Sequence, residues 1–196
     1  MLINGYDFDG TIYRGDSSVD FYLYCRNKYP RVKRDVFCVL PLLAALILHK
    51  KDLTREKEHF YRYLSYVPDA AAEAERFWEG CGGYIKAWYL KQKRQDDLII
   101  SASPEFLLNP ICKTLGVRLI ASKVDPKTGK YDGLNCHDEE KVRRLREAYP
   151  DAEIDRFYSD SRADTPLTKL AKQAFLVKGD VISPFPLKHR SRNRHQ

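Results

Sequence analysis

The strand-like run at the start of this chain, Leu2 to Phe8, is cut off from every later strand. Residues 16–95 behind it read as helix, and only after Gln95 do short apolar strands alternate with helices. Such alternation specifies a parallel sheet with helices on its faces. The sheet must therefore accept a first strand that a long helical insertion separates from the rest. That leaves an α/β chain with an all-helical insert after strand one.

The periodicity refines both halves. Ser17 or Ser18 is placed to cap a helix that runs through Tyr29 and stops at Pro30. Val36 to Leu48 forms a second helix, and Thr54 caps a third that Pro68 limits. Asp69 opens the longest, in which Phe77, Trp78, Cys81, Tyr84, Ile85, Trp88 and Tyr89 recur on one face and Gly82 and Gly83 weaken the run. Beyond Gln95 come a strand at Leu98–Ile100, a helix at Pro104–Leu115 and a strand at Val117–Ser122. Asp125 to Gly129 reads as a turn into a strand near Lys130–Gly133. A helix over Glu139–Tyr149, a strand over Ile154–Tyr158, a helix over Thr165–Lys172 and a strand near Phe175–Val177 follow.

Composition excludes several classes. The five cysteines contain no C-x-x-C pair and the five histidines no H-E-x-x-H spacing, so neither a disulfide framework nor a zinc site is expected. Any metal must be held by carboxylates. Asp7 and Asp9 interrupt the apolar start, which is not the pattern of a secretory signal, and a cytoplasmic protein is expected. The longest apolar run, Val36 to Leu48, contains Pro41 and falls short of the roughly 18 residues a membrane span needs. It reads as a core helix, with contact to a membrane surface as the alternative. Of the net charge of +7, more than half comes from Lys188, Arg190, Arg192 and Arg194, in a tail without an acid. That tail is expected to be solvated, with polyanion binding as the other reading.

Ligands of such sheets sit beyond the carboxyl ends of the strands. The first strand ends in Asp7-Phe8-Asp9-Gly10-Thr11, and alternation puts both carboxylates on one side if the strand continues. Two neighbouring carboxylates bind a cation or separate their pKa values, so that one ionises while the other keeps a proton. Leu98–Ile100 runs into Ser101-Ala102-Ser103-Pro104, where free backbone N–H groups and hydroxyls suit an anion. Lys141 opposes the dipole at the start of its helix, which calls for an anionic partner, with a solvated surface lysine as the other reading. Ile154–Tyr158 leads to Ser159-Asp160-Ser161-Arg162-Ala163-Asp164. Four acids, a serine and a lysine from three strand ends and one helix start read as a phosphate-and-magnesium site.

These four motifs, in this order, resemble the haloacid dehalogenase superfamily of phosphohydrolases, in particular its phosphoserine-phosphatase-like branch. The resemblance implies a Rossmann-like core made of residues 1–13 and 96–187, a helical cap over 14–95 and a flexible basic tail over 188–196. It implies a Mg2+-dependent phosphatase with Asp7 as nucleophile and Asp9 as general acid and base. Mg2+ would be held by Asp7, the Asp9 carbonyl and Asp160. Ser101, Ala102 and Lys141 would bind the phosphoryl group, Asp164 would orient Lys141 or a metal-bound water, and Thr11 would steady the first loop. The implied partner is a small phosphate ester, with no nucleic acid. A phosphatidylglycerophosphate-type lipid phosphatase is the alternative suggested by Val36–Leu48, and a non-catalytic polyanion binder the one suggested by the tail. Asp9 is the acid a phosphatase needs and a dehalogenase does not. Two positions depart from the pattern: Ser159 stands where the family often has Gly, and Ser103 lies where phosphoserine phosphatases often carry a Gly pair. Lys127-Thr128-Gly129 has the look of a cation-pump phosphorylation loop, but Pro126 separates it from Asp125 and a hairpin turn is the simpler reading.

Overall fold

A computed structural model describes residues 1–34 and 53–186. Val36–Leu48 and the basic tail, on which the lipid and polyanion alternatives rest, lie outside the described residues.

Six strands form one sheet: β1 (Leu2–Tyr6), β2 (Leu98–Pro104), β3 (Arg118–Ser122), β4 (Glu153–Ser159), β5 (Ala171–Lys178) and β6 (Val181–Pro184), in the order β3-β2-β1-β4-β5-β6. β1 to β5 pair in parallel, and β6 returns antiparallel along β5. The chain steps from β1 outward to β2 and β3, then crosses back to lay β4 on the other side of β1. Strand order reverses around β1, and a crevice at such a reversal is where ligands enter this architecture.

Between β1 and β2 the described residues form the helices α1 (Ser17–Lys28), α2 (Pro30–Arg34), α3 (Thr54–Tyr61), α4 (Ala70–Cys81) and α5 (Ala87–Gln92). The core half adds α6 (Glu105–Leu115), α7 (Glu139–Ala148) and α8 (Thr165–Thr168). Alternation along the strands feeds two cores. Leu98, Ile100, Ile154 and Phe157 pack with Leu145 and Leu167 on one face, while Tyr6, Ile99 and Tyr158 join a larger cluster that includes Phe21, Phe77, Trp78 and Tyr89 from the helical insert. Tyr6 stacks on Tyr158, and Tyr13 and Phe8 meet Trp78 edge-on. The insert is thus joined to the sheet through aromatic rings.

Several local expectations need correction. Asp16, not Ser17 or Ser18, caps α1, its carboxylate accepting from the N–H groups of Ser18 and Val19. Thr54 lies inside α3, and its hydroxyl accepts from the Asn135 N–H. The long aromatic helix breaks into α4, a 3-10 turn at Gly82–Tyr84 and α5, since paired glycines lose most backbone freedom in a helix. Near Lys130 there is only an isolated bridge between Val124 and Tyr131, and the Asp125–Gly129 turn is closed by the Gly129 N–H donating to the Asp125 carbonyl. The expected helix to Lys172 stops at Thr168, because residues 171–176 pair with residues 154–159 of β4; strand pairing overrides a weak local preference. β6 follows tightly at Gly179 and has no counterpart in the sequence reading.

Candidate active site

A cavity of about 440 Å3 opens over the strand reversal, lined among others by Asp7, Asp9, Ser101, Lys141, Asp160 and Asp164. The four motifs that the sequence separates by up to 157 positions therefore share one pocket.

Asp7 follows β1 directly, and its N–H donates to the Tyr158 carbonyl, which fixes it against the end of β4. The Lys141 ammonium donates to Asp7 Oδ1 at 2.8 Å and reaches Asp164 Oδ1 at 2.8 Å. The three side chains are almost fully enclosed: 12% exposed for Asp7, 3% for Lys141 and 2% for Asp164. Burial raises the Asp7 carboxyl to about 7, although Lys141 pulls against it. Burial also works against the Lys141 ammonium, but Asp164 and Asp7 outweigh it and hold the lysine above its usual range. The backbone turns into α7 through Asp138 at φ 54°, a region that costs a non-glycine residue on the order of 1–3 kcal/mol. That turn starts the helix whose third residue is Lys141.

Asp164 is itself held: its Oδ2 accepts from the Ser159 hydroxyl at 2.7 Å. The Ser159 hydroxyl thus holds the carboxylate that pairs with Lys141. Thr11 joins the first and fourth motifs, its Oγ1 accepting from the Asp160 N–H at 2.9 Å. Gly10, at φ 68°, lies so close to Asp160 that a methyl group there would collide with the carboxylate. Below this loop the buried Lys86 donates to the Gly10 and Gly179 carbonyls, a support the sequence did not signal.

Asp9 sits in different company. Its Oδ1 accepts from the Ser17 N–H at 2.7 Å, at the positive end of α1, and its Oδ2 accepts from the Ser103 hydroxyl at 2.5 Å. Burial and the nearby Asp16 raise its carboxyl to about 6. Ser101 lies in the irregular part of β2, where pairing with β3 skips from Ile100 to Pro104, and its Oγ accepts from the Ser103 N–H. Ala102 offers its carbonyl to Ser122 and to Lys57, a lysine of α3 that also reaches Asn135. Lys57, His137, Ser18 and Tyr61 line the pocket and were missed. They come from segments whose helical or loop pattern says nothing about which face meets the sheet.

The oxygen chemistry fits Mg2+. Among the described residues no group of three or more His, Cys, Asp or Glu side chains is placed to hold a metal unaided. Asp160 forms no ion pair with a described residue, is raised by burial, and shares the cavity with Asp7. Few carboxylates, a carbonyl, waters and substrate phosphate are the donors this ion takes.

A family model described as haloacid dehalogenase-like hydrolase matches residues 5–169. The chain belongs to that family. Protein CicA of Caulobacter vibrioides is 30% identical over 200 residues, covering 88% of this chain and 84% of that protein. Among solved structures, a Bordetella pertussis protein of unknown function shares the fold at a TM-score of 0.73, with 20% identity and 88% of each chain covered. A phosphoserine phosphohydrolase-like protein of Francisella tularensis does so at 0.57, with 14% identity, covering 89% of this chain and 86% of its own. The six-stranded, mostly parallel sheet is the Rossmann-like core of that family. Among the described residues, no helix is long and apolar enough to cross a membrane.

Proposed function

We propose that this phosphoric monoester hydrolase works with Mg2+ on a small organic phosphate, passing the phosphoryl group to Asp7 and then to water. The observation that carries the reading is the buried Asp7–Lys141–Asp164 array beside a second acid, Asp9, whose partners are neutral.

Asp7, the Asp9 carbonyl and Asp160 would hold the ion, which when bound offsets the repulsion between the Asp7 carboxylate and an anionic phosphate. An Asp7 oxygen attacks phosphorus as the bond to the leaving oxygen breaks, and Asp9 gives its proton to that oxygen. Asp9, now a carboxylate, takes a proton from water, whose oxygen attacks phosphorus and breaks the bond to Asp7. Inorganic phosphate leaves. Lys141 and Ser101, with the backbone at Ala102, neutralise and orient the phosphoryl oxygens. Residues 1–13 and 96–187 act as the chemical core and residues 14–95 as the cap that excludes water and meets the leaving group.

Phosphate release from a panel of monophosphates, with Mg2+ or chelator, tests the reading when wild type and Asp7→Asn are run together. Activity that needs both Mg2+ and Asp7 is expected. Full activity in Asp7→Asn would overturn the nucleophile assignment.

A further inference from the structure

Ser103 makes more hydrogen bonds than its position in an anion-binding loop requires. Its hydroxyl donates to Asp9 Oδ2 at 2.5 Å. It also accepts from the Ser17 hydroxyl at 3.2 Å and lies 3.1 Å from the Ser18 hydroxyl. Ser18 in turn accepts from the Tyr61 hydroxyl at 2.7 Å. All four hydroxyl-bearing residues are buried. A serine hydroxyl has one proton and two acceptor lone pairs. Because Ser103 gives its proton to Asp9, Ser17 and Ser18 must fill its lone pairs, and Ser18 can donate because Tyr61 donates to it. The chain has one self-consistent direction, Tyr61 to Ser18 to Ser103 to Asp9.

We infer that Ser103 is the positioning residue of Asp9, and that hydroxyls from the helical insert, Ser17, Ser18 and Tyr61, fix it in that task. Three of the four hydroxyls come from α1 and α3, whereas Asp9 follows β1 and Ser103 lies at the end of β2. Asp9 therefore takes its orientation from the docking of the insert on the core. The Ser17 N–H and Ser103 occupy one lone pair on each Asp9 oxygen and leave the others for the proton in transfer. Asp16, by capping α1 itself, releases both serine hydroxyls from the capping role and lets them face Ser103.

This inference rests on Asp9 as the general acid, and the experiment separates the two. An acid matters to a poor leaving group and little to a good one. For kcat/KM, which ends with formation of the phosphorylated Asp7, an alkyl phosphate and p-nitrophenyl phosphate are compared in Mg2+-loaded enzyme. Ser103→Ala is expected to lower the alkyl value by about ten- to a hundredfold, a part of the roughly 10^2- to 10^4-fold that a general acid contributes, and to leave the aryl value within a few-fold. Ser103→Thr, which keeps the hydroxyl, should restore the ratio, and Tyr61→Phe should shift it in the same direction by less. If Asp9→Asn steepens the leaving-group dependence and Ser103→Ala lowers both substrates equally, Ser103 has only a structural role and the inference falls alone. If Asp9→Asn leaves the dependence unchanged, Asp9 is not the acid and both readings fall.

Discussion

The two aspartates of the first loop differ by two positions in sequence and by everything in their surroundings. Asp7 faces a buried lysine that a second carboxylate holds in place. Asp9 faces a helix N–H and a chain of hydroxyls. The cation beside Asp7 pulls it toward the ionised form that a nucleophile needs, against a burial that raises the carboxyl. Neutral donors beside Asp9 fix its orientation while letting it pass between carboxyl and carboxylate, as a group that must both give and take a proton requires. The charged half is built from the sheet side, from β1, α7 and the end of β4; the neutral half draws most of its hydroxyls from the helical insert.

Removing the reacting oxygen should separate the halves most widely. Asp7→Asn is expected to cut turnover by about 10^4-fold or more, the scale on which lost nucleophiles are felt, as read from single-turnover phosphate release. Asp9→Asn should leave a measurable reaction with good leaving groups. Equal losses for the two variants on an aryl phosphate would erase the distinction. Lys141→Met comes next: it leaves two buried carboxylates unpaired, and denaturant melts should show a loss of about 3–5 kcal/mol, as for other broken buried pairs.

The pH dependence of stability tests the comparison in chelator. Burial raises Asp7 to about 7 and Asp9 to about 6. Above the ordinary carboxylate range and below those values the native state binds more protons than the unfolded chain, so these groups make stability fall as pH rises from about 4 to 7. Denaturant melts across that interval should decline less steeply in Asp7→Asn than in wild type, and added Mg2+ should flatten the wild-type curve near pH 7. A steeper decline in the variant would reverse the assigned sign. The smallest effect belongs outside the pocket, at the exposed Arg143–Glu147 pair. Glu147→Ala should change stability by less than about 1 kcal/mol, and a larger loss would show that the contrast between buried and exposed charge has been drawn too sharply.

Much of the charged half could be read from sequence, because acids at strand ends are local signals and the alternation of strands says where those ends meet. Asp7, Asp160 and Asp164 enter one cavity from such positions, and Lys141 joins them from the start of α7. The neutral half was hidden. Ser103 stood out only as a departure from a family pattern, and Ser17 and Ser18 looked like caps because nothing in the sequence shows that Asp16 takes that role. Tyr61 is one of thirteen tyrosines, and its hydroxyl has meaning only once α3 packs over the sheet. The shortened α8 and the added β6 were hidden for a related reason: pairing with a strand end made elsewhere in the chain decides them.

β1 also sets an order of events. It occupies the middle of the sheet, pairing with Leu98 and Ile99 on one side and with residues 153–158 on the other. During synthesis β1 emerges before the other strands of the sheet, yet one flank stays open until the fourth strand has been made. Contacts that span so much chain pay their loop-closure entropy before they return any stability. The pocket needs both flanks, since Asp7 is tied to Tyr158 and Lys141 to Asp164. A ribosome-bound chain stopped before Tyr158 would hold the whole helical insert and still have no site to protect from solvent.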